Sequence, residues 1–158
     1  MLAQFSRRPR VPASWLFVAM LLTAPAVGAD PKDDVATAGQ KWAAIFADDN
    51  PDSILALYAD DAVLWGTLSS TRLVGKQELR GYFQMAFKAL PRHKVVFGNQ
   101  HIRVYGDIAI NTGYYTFSYV KDGEVRTLPA RYSFVYRNHG GSWLIVDHHS
   151  SEMPAPPR

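Results

Sequence analysis

Two histidines and an aspartate stand at the end of an apolar run near the C-terminus. The stretch WLIVDHHSSEMP, residues 143–154, holds Asp147, His148 and His149 in succession. An imidazole can act as a general acid or base near neutral pH, and a neighbouring carboxylate can orient it or help to bind a metal ion. Because adjacent side chains of a β-strand point to opposite faces, we expect His148 and His149 to lie in different environments.

A metal site is not predicted, because the two histidines are separated by this alternation and the predicted helices carry no histidine to complete a ligand set. The chain contains no cysteine, which excludes disulfides, thiolate metal sites and a cysteine nucleophile. No Gly-rich phosphate loop, G-x-S-x-G elbow or H-E-x-x-H motif occurs. We therefore expect neither a metal nor a cofactor.

A polar cluster is predicted on one face of the last strand. If the NHGG hairpin keeps the faces of its strands matched, His149 lies opposite Arg131 and Asp147 lies opposite Ser133. Arg131, Asp147 and His149 then form one group. Charged pairs of this kind satisfy a sheet surface or a subunit interface, and a catalytic role is the alternative.

The opposite face of these strands is aromatic and apolar. It carries His148, which alternation aligns with Leu144 and Val146. The residues predicted to line a ligand pocket are Trp65, Tyr115, Phe117, Tyr132, Phe134 and His148. Such a lining suits a flat or apolar small molecule, with His148 as the candidate catalytic acid or base. The alternative is that the tyrosines are core residues with paired hydroxyls.

Three helices are predicted before the C-terminal strands, and a short strand that begins at Ala62, AVLWGT, is predicted between the second and third helices. In DDVATAGQKWAAIFADD the apolar residues recur on one helical face, and Asp33 or Asp34 is the predicted N-cap. Asn50 followed by Pro51 predicts the start of a second helix. GKQELRGYFQMAFKAL contains an apolar stripe and ends before Pro91.

The second half of the chain predicts four strands. Residues 92–150 are rich in β-branched and aromatic side chains. Asp122-Gly123 and NHGG predict hairpin turns, and Gly98 predicts a bulge or bend. Helices followed by an antiparallel meander indicate an α+β fold. We predict a cone-like, curved antiparallel sheet wrapped around the N-terminal helices, with a cavity where the helices do not fill it.

The N-terminus has the pattern of a secretory signal. The basic stretch MLAQFSRRPR precedes SWLFVAMLLTAPAVGA, which is apolar and ends in small residues. This pattern predicts a signal peptide over residues 1–29, a single domain over 30–152 and a flexible tail over 153–158. An uncleaved anchor is the alternative. We expect an exported protein, periplasmic or secreted, with no stable membrane association after cleavage.

The charge of the chain resides in that signal segment. The formal net charge is +3, and residues 1–29 contain three of the 17 basic residues and none of the 14 acidic ones. Cleavage would leave a neutral domain. A nucleic-acid partner is therefore not expected, because binding a polyanion requires a basic surface.

The order of elements resembles the nuclear transport factor 2-like superfamily, which includes SnoaL-like proteins. The segments LVGKQELRGYF, HIRVYGDIAI and ARYSFVYRNHGGSWLIVDHHSS are most similar to the association (hub) domain of calcium/calmodulin-dependent protein kinase II and its bacterial stand-alone relatives. The resemblance implies a homo-oligomerising module with an internal pocket, and no kinase activity. The pocket arginines of the hub fall on Tyr115, Phe134 and Ser150, so its carboxylate binding is not carried over.

Two functions are compatible with these observations. The first is an exported homodimer or higher oligomer that binds an unknown small molecule without catalysis. The second is a cofactor-independent SnoaL-like lyase, isomerase or hydrolase that uses His148 as general acid or base. The first is preferred because no complete catalytic set can be named, and because one fold of this kind hosts many functions.

Overall fold

Three helices and six strands make up the part of the chain that the structure, a computed structural model, describes, which is residues 30–155. The predicted signal peptide and the end of the predicted tail lie outside the described residues. The elements are α1 (Pro31–Phe46), α2 (Pro51–Leu55), β1 (Tyr58–Trp65), β2 (Leu73–Val74), α3 (Gly75–Ala89), β3 (Lys94–Tyr105), β4 (Ile108–Lys121), β5 (Glu124–His139) and β6 (Ser142–Glu152).

The first two helices begin at side-chain caps. The carboxylate of Asp30 accepts a hydrogen bond of 2.9 Å from the backbone N–H of Lys32. The prediction of Asp33 or Asp34 as the cap was wrong, because both lie within the first turn of α1. There the positive end of the helix dipole stabilises their negative charges. Asn50 caps α2 through its side-chain oxygen, as predicted.

The six strands form one curved sheet in the order β2-β1-β6-β5-β4-β3. Strands β3 to β6 make the predicted antiparallel meander. Strand β1 pairs in parallel with β6, so the sheet is mixed rather than wholly antiparallel. The predicted α+β fold, with a curved sheet against N-terminal helices, is confirmed.

The inner face of the sheet is covered by α1 and α3. The predicted apolar stripe of α3 is confirmed, since its members are all buried: Leu79, Phe83, Ala86, Phe87 and Leu90. Helix α1 contributes Trp42, whose ring lies parallel to Tyr115 at 6.1 Å and tilted against Phe134 at 5.3 Å between centroids. The space under the helices is therefore filled largely by aromatic rings.

A β-bulge interrupts the last strand. Tyr136 pairs with Ile145, but Val135 pairs with Asp147, so Val146 is an extra residue in β6. One inserted residue reverses the face on which the following side chains lie, relative to strict alternation.

The bulge changes which residues share a face with His148. Trp143 and Ile145, before the bulge, are buried on the same inner side as His148, after it. The predicted alignment of His148 with Leu144 and Val146 was therefore wrong. Strict alternation holds only in a strand without an inserted residue.

A second bulge bends β3. The register shifts between Phe97 and Gln100, which confirms the prediction of an irregularity at Gly98. The bulge brings the carbonyl oxygen of Asn99 close to Gly113 on β4, where an added Cβ would lie 2.3 Å from that oxygen. Gly113 is thus required by a close approach of two backbones.

We predict that Gly113→Ala lowers the free energy of unfolding by about 1–3 kcal/mol, because the methyl group must displace a backbone carbonyl. The matched control is Gly81→Ala on the exposed side of α3, where an added Cβ meets nothing within 4 Å. That change is expected to raise stability by about 0.5–1 kcal/mol through helix propensity. Urea unfolding measures both, and equal stability of the two variants would contradict the bulge geometry.

Candidate functional site

His148 lies at the centre of the aromatic cone and is only 3% exposed. Its Nδ1 is 2.9 Å from the hydroxyl oxygen of Tyr58, and its Nε2 is 3.5 Å from that of Tyr115. The ring packs against Phe134 with centroids 4.2 Å apart and against the edge of Trp42 at 5.5 Å. Both ring nitrogens therefore face phenols rather than solvent.

The direction of these hydrogen bonds follows from Trp42. Its indole N–H, which can only donate, lies 2.9 Å from the hydroxyl oxygen of Tyr58. The hydrogen of Tyr58 is then free to go to Nδ1 of His148. With Nδ1 accepting, a neutral imidazole carries its proton on Nε2. The opposite tautomer would leave the buried hydroxyl hydrogen of Tyr58 without an acceptor, which costs free energy.

The hydrogen bonds continue from His148 toward the surface with the same order of donor and acceptor. The Nε2–H group of His148 faces the oxygen of Tyr115, whose hydroxyl donates to Oγ of Ser150 at 2.5 Å. Ser150 is in turn in short hydrogen-bond contact with Oγ1 of Thr67, in the loop after β1. Six side chains thus form one relay from the buried indole to a half-buried threonine. Either hydroxyl of the Ser150–Thr67 pair can donate, and when Ser150 donates the hydroxyl hydrogen of Thr67 is the last donor.

Burial determines the protonation of this network. It lowers the pKa of His148 to about 3, with the charge of neighbouring His149 as a second cause. Burial also raises the pKa values of Tyr58 and Tyr115. At neutral pH the imidazole is therefore neutral and both phenols are protonated, which matches the hydrogen-bond directions.

The hollow next to His148 is narrow. It has a volume of about 20 Å³, enough for roughly one water molecule. Its outer end is bounded by Leu68, Tyr82 and Leu128, all of them partly exposed. The ring of Tyr82 lies directly on the backbone of Gly66, where an added Cβ would be 2.4 Å from it. The loop after β1 and one aromatic side chain of α3 thus form the mouth of the cleft.

The predicted pocket residues divide into two buried groups and one exposed residue. Tyr115, Phe117 and His148 line the cleft. Tyr132 and Phe134 are buried behind it. The hydroxyl of Tyr132 donates to Oδ1 of Asn111 at 3.0 Å, so it is a core hydroxyl with a partner rather than a pocket group.

Trp65 was wrongly predicted to line this pocket. The side chain is 47% exposed and lies on the outer face of the sheet, beside His149 in the parallel pairing of β1 with β6. Leu64, one residue earlier, pairs with His148 and faces inward. Alternation along β1 therefore carries Trp65 to the other side of the sheet.

Arg131, Asp147 and His149 lie on the outer face, but in a different register from the prediction. His149 pairs with Ser133, and Arg131 pairs with Ser151, to whose Oγ its Nε donates at 3.0 Å. The predicted pairing was wrong by two residues: the hairpin closes with His139 opposite Ser142, one residue beyond the assumed register, and the bulge adds one more. Partial burial raises the pKa of Asp147, and the charge of His149 opposes that shift.

Several members of the relay were not found from the sequence. Tyr58 precedes the predicted strand, which began at Ala62. The period-two burial of Leu64 and Ala62 stops at the exposed Asp60, so the strand pattern does not reach Tyr58. Trp42 was assigned only to the apolar face of a helix. Thr67 is a polar loop residue with no signal of its own.

No group of three or more side chains able to bind a metal ion comes together within residues 30–155. The helices of the same region are all too short or too polar to cross a membrane.

The chain belongs to the SnoaL-like domain family, which matches residues 35–156. Among solved structures, a protein of Xanthomonas campestris that is provisionally described as a calcium/calmodulin dependent protein kinase II association domain is 36% identical. The match covers 77% of this chain and 86% of that chain, with a TM-score of 0.71. The resemblance predicted from the sequence is therefore confirmed.

More distant structures share the fold alone. A cystatin-like protein of unknown function from Nostoc punctiforme is 20% identical over 80% of this chain and 93% of that chain, with a TM-score of 0.68. A provisionally described dehydratase of the nuclear transport factor 2-like family from Streptomyces avermitilis is 16% identical over 78% and 96%, with a TM-score of 0.70. No curated protein shows significant similarity.

We predict that His148 makes stability depend on pH. Its folded-state pKa of about 3 lies below the ordinary 6.5, so the unfolded chain takes up this proton first. The stabilisation that the neutral imidazole contributes is complete above about pH 6.5. It is lost as the pH falls toward 3, by on the order of 1 kcal/mol per pH unit. Urea unfolding between about pH 5 and 6.5, above the ordinary carboxyl range, measures the slope.

The variant His148→Gln should show a flatter pH dependence, because the buried proton-binding site is removed. His101→Gln, at an exposed histidine, is the matched control and should keep the wild-type slope. An unchanged slope in His148→Gln would show that the imidazole does not titrate as its burial requires.

Proposed function

We propose that the protein is a non-catalytic, exported homo-oligomer that holds a small, flat, uncharged molecule in its aromatic cone. The observation that carries this proposal is a neutral and fully paired His148 at the inner end of a cleft lined by aromatic rings. Pockets of mainly apolar lining with a few convergent polar groups are the usual binding sites for small molecules.

The state of His148 favours binding over catalysis. A general acid or base works best when its pKa lies near the operating pH and when it reaches the substrate. Here the pKa is about 3, and both ring nitrogens are engaged by phenols. The residues that line the cleft include no carboxylate to take the role instead.

The enzymatic alternative has one observation in its favour. Two phenols flank one imidazole, and these are acid–base groups that a cofactor-independent lyase, isomerase or hydrolase can use. It ranks second because Tyr58 would first have to leave Nδ1 before that atom could accept a proton from a substrate.

The residues at the mouth of the cleft determine how a ligand enters. Leu68 and Tyr82 are side chains at the surface, whereas the inner wall is held by helices and sheet. Because the closed cleft has room for about one water molecule, we infer that these two side chains swing outward on binding. Thr67, the last donor of the relay, then favours a ligand that carries an acceptor oxygen.

Acetophenone, a flat molecule with one acceptor oxygen, is a suitable probe. We predict saturable binding to the wild type, measured by calorimetry and by the shift of the Trp42 indole N–H signal in NMR spectra. Ala86→Leu adds bulk at the buried wall of the cleft and should weaken binding about tenfold or more. Ala89→Leu, on the exposed side of the same helix, is the matched control and should bind normally.

Two results would count against the cone as the site: no saturable binding to the wild type, or equal affinity in Ala86→Leu. Thermal melting shows whether Ala86→Leu still folds. If it does not, Leu128→Phe fills the same cleft from β5 and serves as the second variant.

The outer face of the sheet supports assembly. Val96 and Tyr114 are diagonal neighbours on it, 66% and 56% exposed, and Trp65, 47% exposed, lies on the same face beyond Arg131 and His149. Large apolar side chains exposed together often mark an interaction surface. The Xanthomonas campestris relative is described as an association domain, and at 36% identity this description supports self-association here.

We predict that Tyr114→Lys shifts the protein toward smaller species in analytical ultracentrifugation, because a contact through this face would then have to bury a lysine ammonium beside Arg131. Met85→Lys changes an equally large exposed side chain on α3, away from the outer face, and should leave the distribution unchanged. A wild type that sediments as a monomer at every concentration would contradict this part of the proposal.

Export is the remaining part. The basic and apolar pattern of residues 1–29, with small residues at its end, supports removal of that segment by a signal peptidase. The resulting domain is electrically neutral and carries no basic excess for nucleic acid.

A further inference from the structure

A second pocket lies between α1 and the start of β6, and it shares no lining residue with the cleft at His148. Its volume is about 290 Å³, close to the lower end of the range for ligand sites, ~300 Å³. The lining residues that matter here are Asp34, Ala38, Lys41, Tyr136, Trp143 and Ile145.

Two buried donors of this pocket have no partner. Within residues 30–155, the hydroxyl of Tyr136 and the indole N–H of Trp143 are buried and make no hydrogen bond. The buried hydroxyls of Tyr58, Tyr115 and Tyr132 are all paired, so this is not a general property of the core. Unpaired buried donors cost free energy and require an explanation, such as a partner that enters from outside.

The residues that carry these two donors are neighbours on the inner face. Tyr136 pairs with Ile145, and Trp143 is two residues before Ile145 on the same strand, ahead of the bulge. Diagonal neighbours of this kind are about 7–8 Å apart, with their Cβ atoms somewhat closer, which is within reach of aromatic side chains. Both donors thus belong to one wall of the pocket.

The charged side chains of the pocket wall favour an anionic acceptor. Lys41 lines the pocket and makes no ion pair within the described residues. Asp34, the acidic residue of the lining, is seven residues earlier on α1, about 10 Å away along the helix axis. Burial raises the pKa of Tyr136, so its hydroxyl remains a donor.

We propose that this pocket binds a small apolar carboxylate. The carboxylate oxygens accept hydrogen bonds from Tyr136 and Trp143, Lys41 balances the charge, and the apolar body of the ligand packs against Ala38 and Ile145. Because both donor atoms are buried although their residues line the pocket, binding requires exposed side chains at the rim, such as that of Ser142, to move aside.

Benzoate and its neutral isostere benzamide are the probes for this site. Benzoate is expected to shift the indole N–H signal of Trp143, and benzamide to bind about tenfold more weakly because it lacks the charge. Tyr136→Phe and Lys41→Gln should each lower the benzoate affinity about tenfold. Lys32→Gln, an exposed lysine of the same helix outside the lining, is the matched control and should bind benzoate as the wild type does.

A measurement without ligand tests the premise of unpaired donors. Tyr136→Phe removes a hydroxyl without a partner and should leave the melting temperature unchanged or higher. Tyr132→Phe removes a paired hydroxyl and leaves Asn111 without its donor, so it should melt lower. A drop in Tyr136→Phe as large as that in Tyr132→Phe would overturn the premise.

The two pockets can be distinguished in one experiment. Ala86→Leu, which blocks the cleft at His148, should leave benzoate binding unchanged, so this proposal stands or falls independently of the proposed function. It is overturned if benzoate shifts the signal of Trp42 instead of Trp143, if benzamide binds equally well, or if no saturable shift occurs. It is also overturned if benzoate changes the oligomeric state seen by sedimentation but shifts neither indole signal.

Discussion

The hydrogen bond from the Trp42 indole to the Tyr58 hydroxyl is the interaction on which the centre of the molecule depends. An indole N–H cannot accept, so it determines the direction of the hydrogen bonds through Tyr58 and His148. It also joins α1 to β1, and through His148 to β6. Helix, first strand and last strand are thereby held around a single neutral imidazole, in a core that leaves little free space.

The same burial that stabilises this core limits its chemistry. An imidazole surrounded by aromatic rings is hard to protonate, and its two nitrogens are already engaged. A buried histidine therefore does not by itself indicate catalysis. In this chain it behaves as a polar centre that orders the core, with its relay reaching the surface only at Thr67.

Much of the architecture was predictable because it depends on local pattern. The stripe of α3, the cap at Asn50 and the irregularity at Gly98 follow from spacing and backbone chemistry, and all are confirmed. Trp65 was misplaced because a strand pattern does not show which of its two faces meets the helices. Leu144 was misplaced because a bulge has no dependable sequence signal in an apolar run.

The sequence by itself determined the fold class, the family and the separation of His148 from His149, because periodicity and motif spacing are local properties of the chain. Only the tertiary structure decided which side chains meet His148, since its partners come from α1, β1 and β4, far apart in sequence. The volume left between them was decided there too. That volume is the small difference between the space under the sheet and the volume of the aromatic rings that fill it. Such a difference depends on how the side chains pack, which a sequence pattern does not show.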